Sequence, residues 1–180
     1  MSTTNIEMIF TPDSRLRSIS DRVDESEFGP ELEEYMKGML SKMRELNGVG
    51  LAGIQVGDQR RLLVADPGTG PIMMVNPELV KKSEETVMFQ EGCLSLPGFV
   101  TDVERSESIK VRFNTPLGEE VEEDYFGVES VVVQHEMEHL DGITILDKVS
   151  RLKRDVYTRK IKKIKRRIKK KIEKMNDLYY

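Results

Sequence analysis

The sequence has little of what much catalytic chemistry draws on: one cysteine, two histidines and no tryptophan among 180 residues. A lone cysteine excludes an internal disulfide, and any site built on sulfur or imidazole has three residues to choose from. No apolar run approaches the roughly 18 residues that span a bilayer. The N-terminal MSTTNIEMIF lacks both the basic start and the apolar stretch of a signal peptide, so a soluble, cytoplasmic protein is expected. The length suits one domain with a sizeable core and is short for two.

Charge is unevenly supplied. The formal net charge is −4, from 28 basic and 32 acidic side chains. Residues 1–150 hold 14 Lys or Arg against 29 Asp or Glu, a balance of −15; residues 151–180 hold 14 against Asp155, Glu173 and Asp177, a balance of +11. A mildly acidic total therefore hides an acidic body and a basic tail.

Leu32, Tyr35, Met36, Met39, Leu40, Met43 and Leu46 keep the three-four spacing of one helical face. With Pro30 in the first turn and Asn47-Gly48 as the stop, they predict a helix over 30–46, roughly 25 Å long. After the segment GVGLAGIQVG, strand-like runs occupy 61–65, 72–75, 79–87, 109–113 and 119–125, separated by turn signals such as Asp66-Pro67-Gly68, Asn76-Pro77 and Asn114-Thr115-Pro116. Short turns without helices between them predict antiparallel pairing and an α+β fold. A second core helix is predicted over 126–140, with Val128, Val131, Val132, His135 and His139 at helical spacing and Gly142 beyond its end. From about Ser150 the residues Val156, Ile161, Ile164, Ile168, Ile172 and Met175 form a narrow apolar stripe in a basic helix. At roughly 43 Å it far exceeds the radius of gyration of about 16 Å for such a chain, so it crosses the body or projects from it. The expected organisation is antiparallel sheets around the second helix in one domain, 1–149, with 150–180 as its basic helical appendage.

His135-Glu136-Met137-Glu138-His139 matches HExxH. On a helix the two imidazoles lie one above the other and can share a divalent metal, while the glutamate beside the first reaches a water on it. The plainer reading is two helix residues that happen to be histidine, but both histidines of the chain stand at this spacing. A catalytic metal needs a third ligand. No histidine follows the motif, and the only glutamate after Glu138 is Glu173 in the basic tail, so both familiar peptidase arrangements lack theirs. Cys93, in Glu91-Gly92-Cys93-Leu94-Ser95, can complete a Cys-His-His set with an open position for water, although a lone cysteine is more often a small buried hydrophobe. The segment Gly48 to Gly57 lets a backbone approach closely and offers Gln55 as an uncharged donor; a helix stop and strand entry explain Gly48 and Gly50 equally well.

Together these segments resemble the three signature motifs of the peptide deformylases. The family's usual GxGLAAxQ, EGCLS and HExDH read here GVGLAGIQ, EGCLS and HEMEH, in the same order and with similar spacing. Gly53 stands where alanine is usual and Glu138 where aspartate is usual. The resemblance implies a substrate, the N-formyl group on the initiator methionine of a nascent polypeptide, released as formate. The residue chemistry agrees. A metal held by Cys93, His135 and His139 brings the pKa of water from about 15.7 toward roughly 7, and Glu136 takes the proton and passes it to the leaving amine. The Gln55 side chain and the Leu94 backbone N–H, in the positions the family uses, stabilise the oxyanion. Methionine selectivity calls for an unbranched apolar pocket, with Phe89, Val128, Val131 and Val132 as its expected walls and Gly50 backbone groups holding the peptide extended. Ligand type alone suits zinc; the resemblance implies Fe(II), with Zn, Ni or Co as substitutes. Glu91 and Arg105 either contact substrate or brace the cysteine loop as an ion pair, and the ion pair is the expectation.

The tail admits three readings. A solvated face needs less than a balance of +11, and a membrane-surface helix needs a broader apolar face with Trp or Phe. Phosphate neutralisation on RNA fits better, and the resemblance implies a C-terminal helix that docks on the ribosome near the peptide exit. Neither membrane nor DNA is expected as a partner. Two other functions compete: an HExxH peptidase, which lacks its third ligand, and an RNA- or ribosome-binding module with a structural metal, which would need four protein ligands where the motifs offer three.

Overall fold

The computed structural model describes residues 6–176, with side chains as far as residue 169. The apolar spacing of the first helix is realised as α1 (Pro30–Glu45), which buries Leu32, Met36, Met39, Leu40 and Met43. Asn47 takes the left-handed conformation (φ 56°). The Asn47 and Gly48 amides return to the Arg44 and Met43 carbonyls, both at 2.9 Å, a Schellman closure that ends the helix where the sequence predicts.

The strands that follow are β1 (Gly50–Ala52), β2 (Leu62–Ala65), β3 (Ile72–Lys82), β4 (Thr86–Gly92), β5 (Val100–Ser106), β6 (Ser108–Asn114) and β7 (Glu120–Phe126); then come α2 (Gly127–Leu140) and α3 (Arg151–Asn176). Five strands form one antiparallel sheet in the order β1-β2-β3-β6-β7, and β4 pairs antiparallel with β5 in a separate ribbon. The fold is α+β, as expected. Every residue of β2 is buried because both faces of the sheet are covered. Leu62 and Val64 pack with the α1 methionines, while Leu63 packs with Met74, Val111 and Phe113 against Val133 and Leu140 of α2. On its other side α2 meets the ribbon, where the Ser130 hydroxyl and the Gln134 amide donate to the Ser106 carbonyl (2.9 and 2.8 Å). A helix enclosed on two sides needs no single apolar stripe, which is why Val131, Val132 and Val133 are buried in succession.

Several boundaries differ from the sequence reading. The predicted strands 72–75 and 79–87 are not divided by a turn at Asn76-Pro77: β3 runs through both residues, and its pairing with β6 shifts register between Val75 and Glu78. Asn76 sits at φ 54° and holds the Val23 backbone from both sides, accepting from its N–H (2.8 Å) and donating to its carbonyl (2.9 Å). The dipeptide is thus an irregularity inside a strand. The break falls instead at residues 83–85, and the ribbon β4–β5 was missed beyond residue 87. Its inward positions include Glu91, Thr101 and Arg105, all buried, so the alternation that marks a half-buried strand is hidden by polar residues facing in.

α3 covers 26 residues, about 39 Å. Its early turns dock: Tyr157 and Ile161 are buried with Leu96, Phe99, Val103, Ile145 and Leu146. The stripe beyond is more exposed, Ile168 to 54%, although Lys165 still donates to the Phe10 carbonyl at 3.1 Å. The Ile172 and Met175 side chains lie outside the described residues. Among the described residues no helix is long and apolar enough to cross a membrane.

Candidate active site

Helix α2 delivers His135 and His139 on one face, one turn apart, with ring centroids 5.0 Å apart. Cys93 follows directly on β4, at the point where the ribbon leaves its pairing with β5. One ligand atom from each of Cys93, His135 and His139 lies within 4.8 Å of the others, and Cys93 Sγ stands 3.2 Å from His139 Nε2. Both imidazoles are buried, and His139 Nδ1 has no partner among the described residues. A soft sulfur and two imidazoles converging on one point are a donor set for a divalent transition metal, with coordination positions left over for water.

Two buried carboxylates flank this point and are pushed in opposite directions. Glu91 would be raised by burial, but it accepts Arg105 Nε (2.6 Å), Arg105 Nη2 (2.9 Å) and His135 Nδ1 (2.7 Å), which together hold it down at about 2. The expected Glu91–Arg105 ion pair is present, and it also fixes the orientation of the His135 ring, as a carboxylate behind a metal-ligating histidine does. Arg105 Nη1 continues to Glu138 (2.9 Å), which also meets Lys148. Glu136, by contrast, is pushed up to about 7 by burial, against the attraction of His135, and its Oε2 has no partner among the described residues. Carboxylates driven apart in this way take different roles, one a fixed anion and the other able to exchange protons near neutrality. Burial also opposes charge on both imidazoles. At His135 contacts with Cys93 and Glu91 overcome it and raise its pKa, whereas His139 is held neutral.

Gln55 lies in a 3-10 turn, Gly53–Val56, fully inside the protein. Its Oε1 accepts the Ala52 N–H (2.7 Å), which turns Nε2 toward Cys93 Sγ (3.5 Å) and Ser95 Oγ (3.3 Å). Gly50 passes so close to Glu136 that a Cβ built on it would overlap Oε1 and stand 2.8 Å from Cγ and Cδ. Here glycine is required by close approach. Gly48 lies similarly against Leu94, with a built Cβ 2.6 Å from Leu94 Cδ1.

Several of these residues open onto a cavity of about 400 Å³, within the usual size of small-ligand sites, while Gln55 and His139 are buried outside its lining. Gly50, Phe89, Cys93, Leu94, Val131, Val132, His135 and Glu136 line it. Val128 is separated from them: it shares the face of Val131 and Val132 by helical spacing but sits in the first turn of α2, at the open start of the helix, 47% exposed and outside the lining. The sequence reading also missed the opposite wall, Leu96, Gly98, Phe99 and Val100. A signal was available, since they follow directly on the EGCLS segment.

An HExxH helix enclosed by antiparallel sheets, with a cysteine sulfur from a strand end completing the donor set, defines a metal-dependent hydrolase. The family model described as polypeptide deformylase matches residues 6–155. The chain belongs to the peptide deformylase family, and its reaction is removal of the formyl group from nascent peptides. A peptide deformylase of Phenylobacterium zucineum is 39% identical over 162 residues, covering 87% of this chain and 95% of that protein. The crystal structure of peptide deformylase from Thermotoga maritima superimposes with a TM-score of 0.77 at 38% identity, covering 81% of this chain and 97% of that one. The Ehrlichia chaffeensis peptide deformylase in complex with actinonin gives a TM-score of 0.83 at 32% identity, covering 89% and 98%.

Proposed function

We propose that Cys93, His135 and His139 hold one divalent ion, Fe(II) in the cell with Zn, Ni or Co as substitutes, and that Glu136 is the general base of deformylation. The observation that carries this reading is the convergence of the three ligand atoms within 4.8 Å beside the buried Glu136, which lines the cavity and whose Oε2 has no partner among the described residues. When bound, a divalent ion supplies acidified water and polarises the formyl oxygen. Glu136 takes the attacking water's proton and returns it to the leaving amine. Gln55 Nε2 and the Leu94 N–H donate to the oxygen on which negative charge develops, and the Ala52 contact keeps Gln55 in the donating orientation. Phe89, Val131 and Val132 offer the methionine side chain an apolar wall; Val128 is exposed and adds nothing to it. β1 and β4 are edge strands of their sheets, and residues of both line the cavity. An extended peptide lying along Gly50 and these edges gains main-chain hydrogen bonds. Actinonin, bound by the Ehrlichia relative, is expected to occupy the same cavity.

Formate release from formyl-Met-Ala by anaerobically prepared, iron-loaded protein tests this reading, with Glu136→Ala as the inactive control. Metal content and turnover that both survive Cys93→Ser would show the ligand set to be wrong.

The same reading gives α3 a separate task in the cytoplasm, delivery to the ribosome through its exposed basic face. Residues 151–180 carry a balance of +11, and beyond Ile161 the described stripe is partly exposed. Because Tyr157 and Ile161 belong to the core, the deletion that tests delivery begins at Ile164. It should weaken ribosome binding, with a steep salt dependence in the intact chain, and spare small formyl peptides; unchanged ribosome affinity refutes it.

A further inference from the structure

The wall of the cavity opposite α2 is a single tight turn. The Phe99 N–H donates to the Leu96 carbonyl at 3.1 Å, Pro97 occupies the second position, and Gly98 the third at φ 69°. Proline followed by a residue of positive φ is the signature of a type II turn, which differs from type I by a flip of the central peptide. That peptide, between Pro97 and Gly98, carries the Pro97 carbonyl, and Tyr157 of α3 donates its hydroxyl to it at 3.2 Å. The Tyr157 ring packs on Phe99 with centroids 4.8 Å apart. One turn earlier on α3, Lys153 donates to Thr101 Oγ1 (2.9 Å) and lies over the Phe99 ring. The helix thus grips the wall at its central peptide, its aromatic side chain and the strand that follows. The N–H of Leu96 in turn donates to the Cys93 carbonyl at 2.9 Å.

We propose that Tyr157 is a positioning residue for substrate binding: its hydroxyl holds the Pro97–Gly98 peptide in the type II orientation and so sets the cavity wall formed by Leu96, Gly98 and Phe99. The functional boundary of the enzyme then lies inside α3, beyond Ile161, and the helix is two parts in sequence: a brace for the site followed by a basic extension. The inference rests on the cavity being the substrate site. A wall touched equally by ground and transition states affects KM and leaves kcat alone.

Tyr157→Phe removes the hydroxyl and keeps the ring contact. In metal-loaded enzyme KM for formyl-Met-Ala should rise about fivefold, the equivalent of one lost hydrogen bond, with kcat within about twofold. In hydrogen exchange, the Leu96 and Phe99 amides should exchange faster while those of α1 and β6 do not change. Gly98→Ala is a second, independent route to the same turn. A Cβ there meets no protein atom within 4 Å, so its cost to the fold is the positive φ alone. It should raise KM as well, and the double variant should show less than the product of the two single effects. Unchanged KM and exchange in Tyr157→Phe overturn the proposal, as does multiplicative behaviour of the pair. Faster exchange spread evenly over the chain also overturns it, by reducing Tyr157 to general stability. If instead Cys93→Ser keeps its metal and activity, the assignment of the site fails while the exchange comparison still decides the brace.

Discussion

Gly50→Ala tests the placement of Glu136, the proposed general base, without touching a proposed metal ligand. The added Cβ would stand 2.8 Å from Glu136 Cγ and Cδ, where ordinary contact begins at 3.4 Å, and closer still to Oε1. The carboxylate must therefore withdraw by at least about 0.6 Å, or β1 must move by as much. Overpacking of this kind costs about 1–3 kcal/mol of stability. Displacement of a reacting group by about an ångström costs on the order of 100-fold in rate. The expected outcome is a loss of 30- to 100-fold in kcat/KM for formyl-Met-Ala, on the order of the rate cost above, with metal stoichiometry unchanged because Cys93, His135 and His139 lie outside the clash. In a Glu136→Asp background the side chain is one methylene shorter, so adding Gly50→Ala should cost much less than it does alone. Metal-loaded Gly50→Ala with kcat/KM within threefold of wild type would refute the close approach as a constraint on the base.

Other consequences concern stability. Glu136 has its pKa raised from 4.5 to about 7, so the folded state holds a proton more tightly than the unfolded chain, and stability falls as pH rises through that window. Metal-free Glu136→Gln should therefore be more stable than metal-free wild type at pH 8, by about 3 kcal/mol, and lose that advantage near pH 4; equal melting temperatures at pH 8 would refute this. Glu91 runs the other way, from 4.5 down to about 2. Its contribution is present above pH 4.5 and is lost as pH falls toward 2, so acid titration of metal-free wild type should show a fall that Glu91→Gln lacks. At neutral pH that variant leaves Arg105 buried with one partner fewer and should lose about 3 kcal/mol or more, read by urea unfolding. Gly53→Ala restores the residue usual in the family, but its Cβ would meet the Arg60 and Asp58 carbonyls at 3.0 and 3.1 Å. Backbone yields less readily than a side-chain tip, so a loss of about 1 kcal/mol is expected; a melting temperature at or above wild type refutes it.

The chemistry of the site was more legible in the sequence than the scaffold that carries it. Cys93, His135, His139 and Glu136 stand out because a chain with so little sulfur and imidazole places all of it in two short motifs. α1 was legible because its apolar residues face one way, and its Asn47-Gly48 stop uses the φ that the dipeptide favours. The β4–β5 ribbon was not, since Glu91 and Arg105 satisfy each other in the interior and so erase the polar-out pattern. Asn76-Pro77 reads locally as a turn, and only the Val23 backbone, 53 positions away, makes it part of a strand. The same holds for Val128. Helical spacing puts it on the face of Val131 and Val132, but how far along that face a cavity reaches is fixed by what packs around the helix. The role of Tyr157 depends on a carbonyl 60 positions earlier, and no periodicity reports such a contact.

The separation of charge along the chain has a consequence for how the molecule moves before it touches anything. An acidic body joined to a long cationic helix anchored at one end is an electric dipole. Near a polyanionic surface such a molecule experiences a torque as well as a net force, so it arrives turned, with the helix leading and the body trailing. Encounter rates then depend on ionic strength through orientation even where the net charge of −4 predicts repulsion.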